Sequence, residues 1–333
     1  MSRIKHKKIA VFLIGLGIIF LILFVLSLRE PAGDITYGAS FSKLHADELG
    51  IPWKETYLAL LDDLKIRHLR LSAHWPMIEP EEGKYHFEEM DFQMNEARRR
   101  GATVILGVGK RLPGWPECHI PRWAWGKDAK DHQASIMKYI EAVVIRYRDY
   151  PNILYWQVEN EPFLQGFARY HCGSLDVDFL ESEIAFVKKL DPKHPVMITD
   201  SVEFGSWLPA YRRADAFGTT LYVYIWSRLL GPIHYPFPSA YFRIKQSVLE
   251  LVGKAKPKMI IELAAEPWLA IPISDASLDL QFSRMDIDKF EKIIEFAKKT
   301  GFDRQYLWGA EWWYYVKLKG NPVFWDRARS LYY

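Results

Sequence analysis

The chain has 333 residues, of which 49% are hydrophobic, 26% charged and 15% aromatic, with 13 tryptophans. This composition excludes a disordered chain, and the length suits one large barrel of about 250 residues. The formal charge of +3 is no nucleic-acid footprint, because Arg3, Lys5, Lys7 and Lys8 alone contribute +4 and leave −1 for the rest, so no nucleic-acid partner is expected.

Residues 1–8 read as a basic cytoplasmic tail. Residues 9–28 carry no charge, and about 20 such residues are what a helix needs to cross a bilayer. A cleaved signal peptide has a shorter apolar region of about 7–15 residues before a small-residue cleavage site. This run is longer and no Ala-x-Ala follows, so the expectation is an uncleaved anchor with the lipid bilayer as partner. The preceding basic residues keep the N-terminus cytoplasmic and make the protein single-pass, with its folded domain extracytoplasmic. Residues 29–34 form a short linker, and 35–333 form the domain.

Within that domain strand-like and helix-like segments alternate. A strand at 35–42 precedes a helix at 55–65, whose apolar residues recur at helical spacing. The following pairs are 68–75 with 90–100, 103–109 with 132–150, and 153–158 with 177–190. A fifth strand at 196–199 leads to a helix at 207–213, and a sixth at 219–225 leads to 241–253. The last two pairs are 258–262 with 287–299 and 305–309 with 323–331. Eight pairs in this length predict an α/β fold of the (β/α)8 TIM-barrel type, preceded by one N-terminal transmembrane helix.

The fourth strand is the most informative. Ile153-Leu-Tyr-Trp-Gln-Val-Glu-Asn-Glu-Pro162 begins as a buried parallel strand and ends with two carboxyls, an amide and a proline. Ligands bind at that end of a parallel barrel. The other strands bring compatible groups to the same mouth: Arg70, His74 and Trp75 from the second, and Tyr222 and Tyr224 from the sixth. The seventh brings Glu262 and Glu266, and the eighth Trp308, Glu311, Trp312 and Trp313. At least one tryptophan of the 312–313 pair is expected to line the cleft, where an aromatic face packs on a sugar's apolar face.

This is equipment for cutting a glycosidic bond. One carboxylic acid protonates the departing oxygen, and a carboxylate about 5–5.5 Å away attacks the anomeric carbon if configuration is retained. Arg70 is expected to keep a carboxylate ionised, and Asn160 to hydrogen-bond the hydroxyl beside the anomeric carbon. Strict strand alternation puts Glu159 on the same side as Glu161. No metal-binding motif and no dinucleotide fingerprint is present, so neither metal nor cofactor is expected.

Asn160-Glu161-Pro162, Pro257-x-x-Ile-x-Glu262, Arg70, a sixth-strand tyrosine and Trp308 together resemble the clan A retaining glycoside hydrolases, which include cellulases, mannanases and β-galactosidases. Arg70-Leu-Ser-Ala-His-Trp-Pro-Met-Ile-Glu-Pro-Glu-Glu-Gly-Lys-Tyr-His-Phe87 also resembles the second strand and following loop of the β-glucosidase and β-galactosidase families. The resemblance implies a hydrolase of β-glycosidic bonds in oligo- or polysaccharides, with Glu161 as acid/base and Glu262 as nucleophile, and the apolar run at 9–28 would make it membrane-anchored. Glu262-Leu-Ala-Ala-Glu266 departs from the family pattern and leaves Glu266 as a second nucleophile candidate. Leu221-Tyr-Val-Tyr224 leaves open which tyrosine meets the nucleophile. The other functional readings are a transglycosylase using the same residues, and a non-catalytic glycan-binding or polysaccharide-assembly scaffold.

The two cysteines, Cys118 and Cys172, follow the third and fourth strands and so fall in neighbouring loops. In an extracytoplasmic space they are expected to form a disulfide.

Overall fold

The computed structural model describes residues 14–333 except 16, 19–20, 23, 26, 29–32, 165–171, 202–204, 228 and 235–236. Eight parallel strands close into a barrel: β1 (Thr36–Ser40), β2 (His68–Ser72), β3 (Thr103–Val108), β4 (Ile153–Val158), β5 (Val196–Asp200), β6 (Ala216–Leu221), β9 (Lys258–Ala264) and β10 (Arg304–Trp308). A two-stranded antiparallel sheet, β7 (Tyr224–Ser227) and β8 (Gly231–His234), is inserted after β6, so the seventh and eighth barrel strands are β9 and β10. The chain enters β1 on the face opposite the strand C-termini.

Alternation along each strand divides the apolar residues into two sets. Ile105, Tyr155, Met197, Ala216, Met259, Ile261 and Tyr306 form a cluster that fills the lumen. A much larger cluster, including Leu69, Val104, Trp156, Ile198, Phe217, Ile260 and Leu307, packs the outside of the barrel against the helices. Gly38 is needed in β1, because a Cβ there would come within 2.6 Å of the Tyr306 ring.

The predicted strand and helix pairs are all present, with shifts where local chemistry was misread. Helix Val177–Leu190 has the expected bounds. The sixth strand runs from Ala216 to Leu221 and not over 219–225. Its expected second half, rich in tyrosine and isoleucine, forms the β7 arm of the hairpin. The second strand stops at Ser72, and Trp75–Ile78 is a helical turn. Helices Lys43–Glu48, Leu278–Arg284 and Ala310–Leu318 were not foreseen.

Much of the anchor expected at 9–28, all of the tail at 1–8 and most of the linker at 29–34 lie outside the described residues. Among the described residues no helix is long and apolar enough to cross a membrane. The described residues of this stretch include Ile14, Ile18, Leu21, Ile22, Phe24, Val25 and Leu28, all exposed.

The two cysteines pair, with Cα atoms 5.3 Å apart and a sequence separation of 54. The bridge joins the loops that follow β3 and β4. A closed loop of this length stabilises by about 4 kcal/mol in the chain-entropy model, less any native strain. Cys118→Ser with Cys172→Ser should therefore lower the melting temperature by several degrees, as read by calorimetry under non-reducing conditions. An unchanged melting temperature would show that the bridge constrains nothing.

Candidate active site

Arg70 on β2 is the hub of the mouth. Its guanidinium is 2% exposed and donates in three directions: Nε to Gln157 Oε1 at 2.7 Å, Nη1 to Glu262 Oε1 at 2.5 Å and Nη2 to Asn160 Oδ1 at 2.8 Å. A buried charge persists only when paired and hydrogen-bonded, and here it is both. Tyr222 closes the other side of the nucleophile candidate, its hydroxyl donating to Glu262 Oε2 at 2.8 Å.

Glu262 reaches this position through a defect in its strand. Thr219 pairs with Ile260 but the adjacent Thr220 pairs with Glu262, and the register with β10 slips between Gln305 and Leu307 at the same level. Ile261 belongs to the lumen cluster, so uninterrupted alternation would send Glu262 outward with Ile260, and Leu263 inward with Ile261. The bulge turns Glu262 into the mouth instead. Ser40 Oγ donates to the carbonyl of Ile261 at 3.1 Å.

The fourth strand ends differently. Glu159 and Glu161 both take left-handed backbone conformations, with φ of 55° and 46°, which cost a non-glycine residue about 1–2 kcal/mol each. The turn is over-determined by hydrogen bonds from Glu159 N to Val108 O, Asn160 N to Arg111 O and Glu161 N to Thr199 Oγ1. The two glutamates consequently diverge. The Glu161 carboxyl accepts from Thr220 Oγ1 on β6 at 2.8 Å. Glu159 instead accepts from the backbone N–H groups of Lys110 and Arg111 and hydrogen-bonds Glu183 of helix Val177–Leu190. The expected alternation ends with the strand at Val158, so the two acids do not share a side.

Burial pushes the Glu161 pKa well above the usual carboxylate range, and the charges of Glu262 and Glu117 add to the effect. Both effects favour the protonated form of the Glu161 carboxyl. Glu117 was not foreseen as a site residue. It lies on the loop after β3, and burial, opposed by Arg111 and reinforced by Glu262, raises its pKa to about 7. Gln157, Thr199 and Thr220 were also missed. All three face the lumen from strand positions whose polarity, amid apolar neighbours, was the available signal.

Glu266 stands apart from the Arg70 cluster. It accepts from Trp308 Nε1 at 2.7 Å and lies 2.9 Å from His45 Nε2. Burial opposes a charged His45, yet Glu266 and Glu48 hold its pKa well above the ordinary value. The His45 ring stacks on Trp308 with centroids 5.9 Å apart. Glu311 completes this second cluster, with a pKa raised to about 7 chiefly by burial. His74 lies behind the mouth, its Nε2 3.0 Å from Pro113 O and its pKa lowered to about 3 by burial, so it is a neutral wall residue.

Three tryptophans expected at the mouth are buried in the core. Trp75 is fully buried and donates to Glu79, packed against Tyr139 and Trp123. Trp312 and Trp313 are both fully buried, because helix Ala310–Leu318 is covered on two faces. Trp312 donates to Gln281 and Trp313 to Ala265 O. Tyr224 lies in the hairpin against His234, leaving Tyr222 as the tyrosine bonded to Glu262. Trp268 is an aromatic at the mouth that was not foreseen. It is 38% exposed and packs edge-on to Tyr222 at 4.9 Å.

Comparison with known proteins agrees with this geometry. Residues 71–201 match the model of Glycosyl hydrolase family 10. A segment of 120 residues is 43% identical to a probable mannan endo-1,4-beta-mannosidase A-1 of Aspergillus terreus, covering 34% of this chain and 30% of that protein. Mannan endo-1,4-beta-mannosidase A of Emericella nidulans is 27% identical over 146 residues, covering 42% and 37% respectively. The matches thus span about a third of the length of these relatives. Among solved structures, GH5_18 from Bifidobacterium longum superposes with a TM-score of 0.59 at 13% identity, covering 83% of this chain and 69% of that one. The endo-1,4-beta-D-mannanase of Thermotoga petrophila does so with 0.53 at 13% identity, covering 84% and 88%. These findings bear out the resemblance to clan A glycoside hydrolases drawn from the strand-end motifs, and the solved structures share the barrel fold.

The buried acids set a pH dependence. Glu117 and Glu311 rise from 4.5 to about 7, and Asp200 from 3.8 to about 6, chiefly through burial. A carboxyl whose folded pKa lies above its unfolded value contributes stability that is complete below the unfolded pKa and is lost as pH rises through the folded one. His45, also raised, has the same sign. Over about pH 5 to 8 these groups destabilise the fold as pH rises, while His68, His74, His119 and His132, whose pKa values burial lowers, act with the opposite sign. The melting temperature of the native chain relative to Glu311→Gln should therefore fall over that interval in scanning calorimetry, and a constant or rising difference would contradict the assignment.

Proposed function

We propose that the chain is a retaining β-glycoside hydrolase acting by double displacement on a β-linked, mannan-like polysaccharide. The observation that carries this reading is the pairing at one mouth of a carboxylate clamped by Arg70 and Tyr222 with a buried, proton-holding Glu161. Glu262 attacks the anomeric carbon as Glu161 gives its proton to the departing oxygen, leaving a glycosyl ester on Glu262. Glu161, now ionised, takes a proton from water, whose oxygen attacks the same carbon and releases Glu262 with overall retention. Asn160, held by Arg70 and Thr199, is positioned for the hydroxyl beside the anomeric carbon. Trp308 and Trp268 supply aromatic faces. The mannan assignment rests on the names of the relatives that match about a third of this chain.

Glu262→Ala should abolish turnover, with azide restoring it and giving product of inverted configuration, whereas Glu266→Ala should be milder. Azide rescue of Glu266→Ala alone would exchange the two assignments. Glu161→Ala should slow substrates with poor leaving groups by roughly 10²–10⁴-fold and activated aryl glycosides far less. Equal losses on both classes, measured by steady-state kinetics, would remove Glu161 from the acid/base role.

The same proposal places the domain outside the cytoplasm, carried by an uncleaved anchor at 9–28 that follows the basic tail at 1–8 and the positive-inside rule. The exposed apolar side chains at 14–28 support it. The protein should stay in the membrane pellet after alkaline carbonate extraction, and release of the full-mass chain into the supernatant would refute the anchor.

A further inference from the structure

The loop after β3 carries a charged pair that the double displacement does not use. Leu112 N donates to Glu117 O, His119 N donates to Lys110 O, and Arg111 pairs with Cys118 in an isolated bridge. Cys118 is in turn joined to Cys172, so both ends of this loop are fixed. Glu117 holds a left-handed conformation, with φ of 74°, immediately before that cysteine. Its carboxyl is within hydrogen-bonding reach of Asn160 and acts electrostatically on Glu161 and Glu262. Asn160 N also donates to Arg111 O at 2.7 Å. The pair therefore sits beside the residues that handle the sugar.

Its hydrogen bonding is incomplete. Arg111 is 4% exposed, and Nη1 donates to Leu164 O at 2.9 Å. Among the described residues Arg111 Nε, Arg111 Nη2 and Glu117 Oε2 are buried without a hydrogen-bond partner. Arg111 Nε and Glu117 Oε2 are 3.8 Å apart, attracted as ions but too distant to hydrogen-bond each other. Buried polar atoms left in this way lose their hydration without gaining a replacement bond.

We propose that Arg111 and Glu117 form a substrate-reading pair that selects a neutral sugar through one of its free hydroxyls. An oxygen about 2.8 Å from each atom fits astride a 3.8 Å gap. A hydroxyl donates to Glu117 Oε2 and accepts from Arg111 Nε through that single oxygen. An ammonium donates to Glu117 but is repelled by Arg111, and a carboxylate meets the reverse, so the pair discriminates against amino sugars and uronic acids. This deepens the glycosidase reading and rests on it.

The test begins with turnover of mannotetraose by the full chain in detergent micelles, followed by mass spectrometry. Calorimetric titration of the same sugar then uses the chain inactivated by Glu161→Gln, with and without Glu117→Gln or Arg111→Gln. Each substitution should weaken mannotetraose binding at least about five-fold. Glu117→Gln should also raise the affinity for an oligouronate relative to mannotetraose, and Arg111→Gln the affinity for an oligoglucosamine. Arg111→Met, which keeps much of the length but removes the charge, replaces Arg111→Gln if the latter does not fold by circular dichroism. Turnover by the parent with less than two-fold weakening in folded variants, or unchanged selectivity, overturns the reading pair and leaves the glycosidase assignment standing. Neither turnover nor binding by the parent overturns both.

Discussion

The guanidinium of Arg70 is the constraint on which the mouth depends. A buried cation left with one partner missing costs several kcal/mol, so the residues that satisfy it are bound to one another as firmly as to Arg70. Gln157 comes from β4, Asn160 from the turn after it, and Glu262 from the seventh barrel strand. One side chain thereby ties down residues 87, 90 and 192 positions away in sequence, and a shift of any one strand would unpair a charge in the interior.

Two departures from regular strand geometry complete the arrangement. The bulge in β9 gives Glu262 an inward direction that alternation denies it, and paired left-handed residues at the end of β4 send Glu159 and Glu161 to opposite sides. Each departure is locally unfavourable. Each is held by hydrogen bonds from a neighbouring strand or loop, including those of Thr199, Ser40 and the backbone of Arg111. Strain concentrated at a reacting centre and supported by its surroundings is the expected pattern for a preorganised site.

The barrel was legible in the sequence because apolar runs alternate with helical spacing, and the candidate acids because carboxyls at strand ends are expensive anomalies. What escaped was information that resides in three dimensions. Tyr224 was assigned to the sixth strand because β-formers continue past Leu221, although they belong to a hairpin. Trp312 and Trp313 were expected to split between core and cleft, but a helix packed on two faces buries both. Glu117 looked like an ordinary loop acid, since only the folding of the loop back toward Asn160 brings it to the mouth. The divergence of Glu159 from Glu161 turns on φ values that no residue pattern reveals.

The polarity of the barrel has a consequence for what the enzyme can reach. Every strand points the same way, so Thr36, where the chain enters, and Glu161, where chemistry is proposed, lie at opposite poles. A tether attached through residues 29–34 would hold the barrel by its base, with the mouth facing outward by roughly the length of a domain. Such a sentinel would meet polymers arriving from the surrounding space or wall, and would be poorly placed to trim glycans still rooted in its own bilayer.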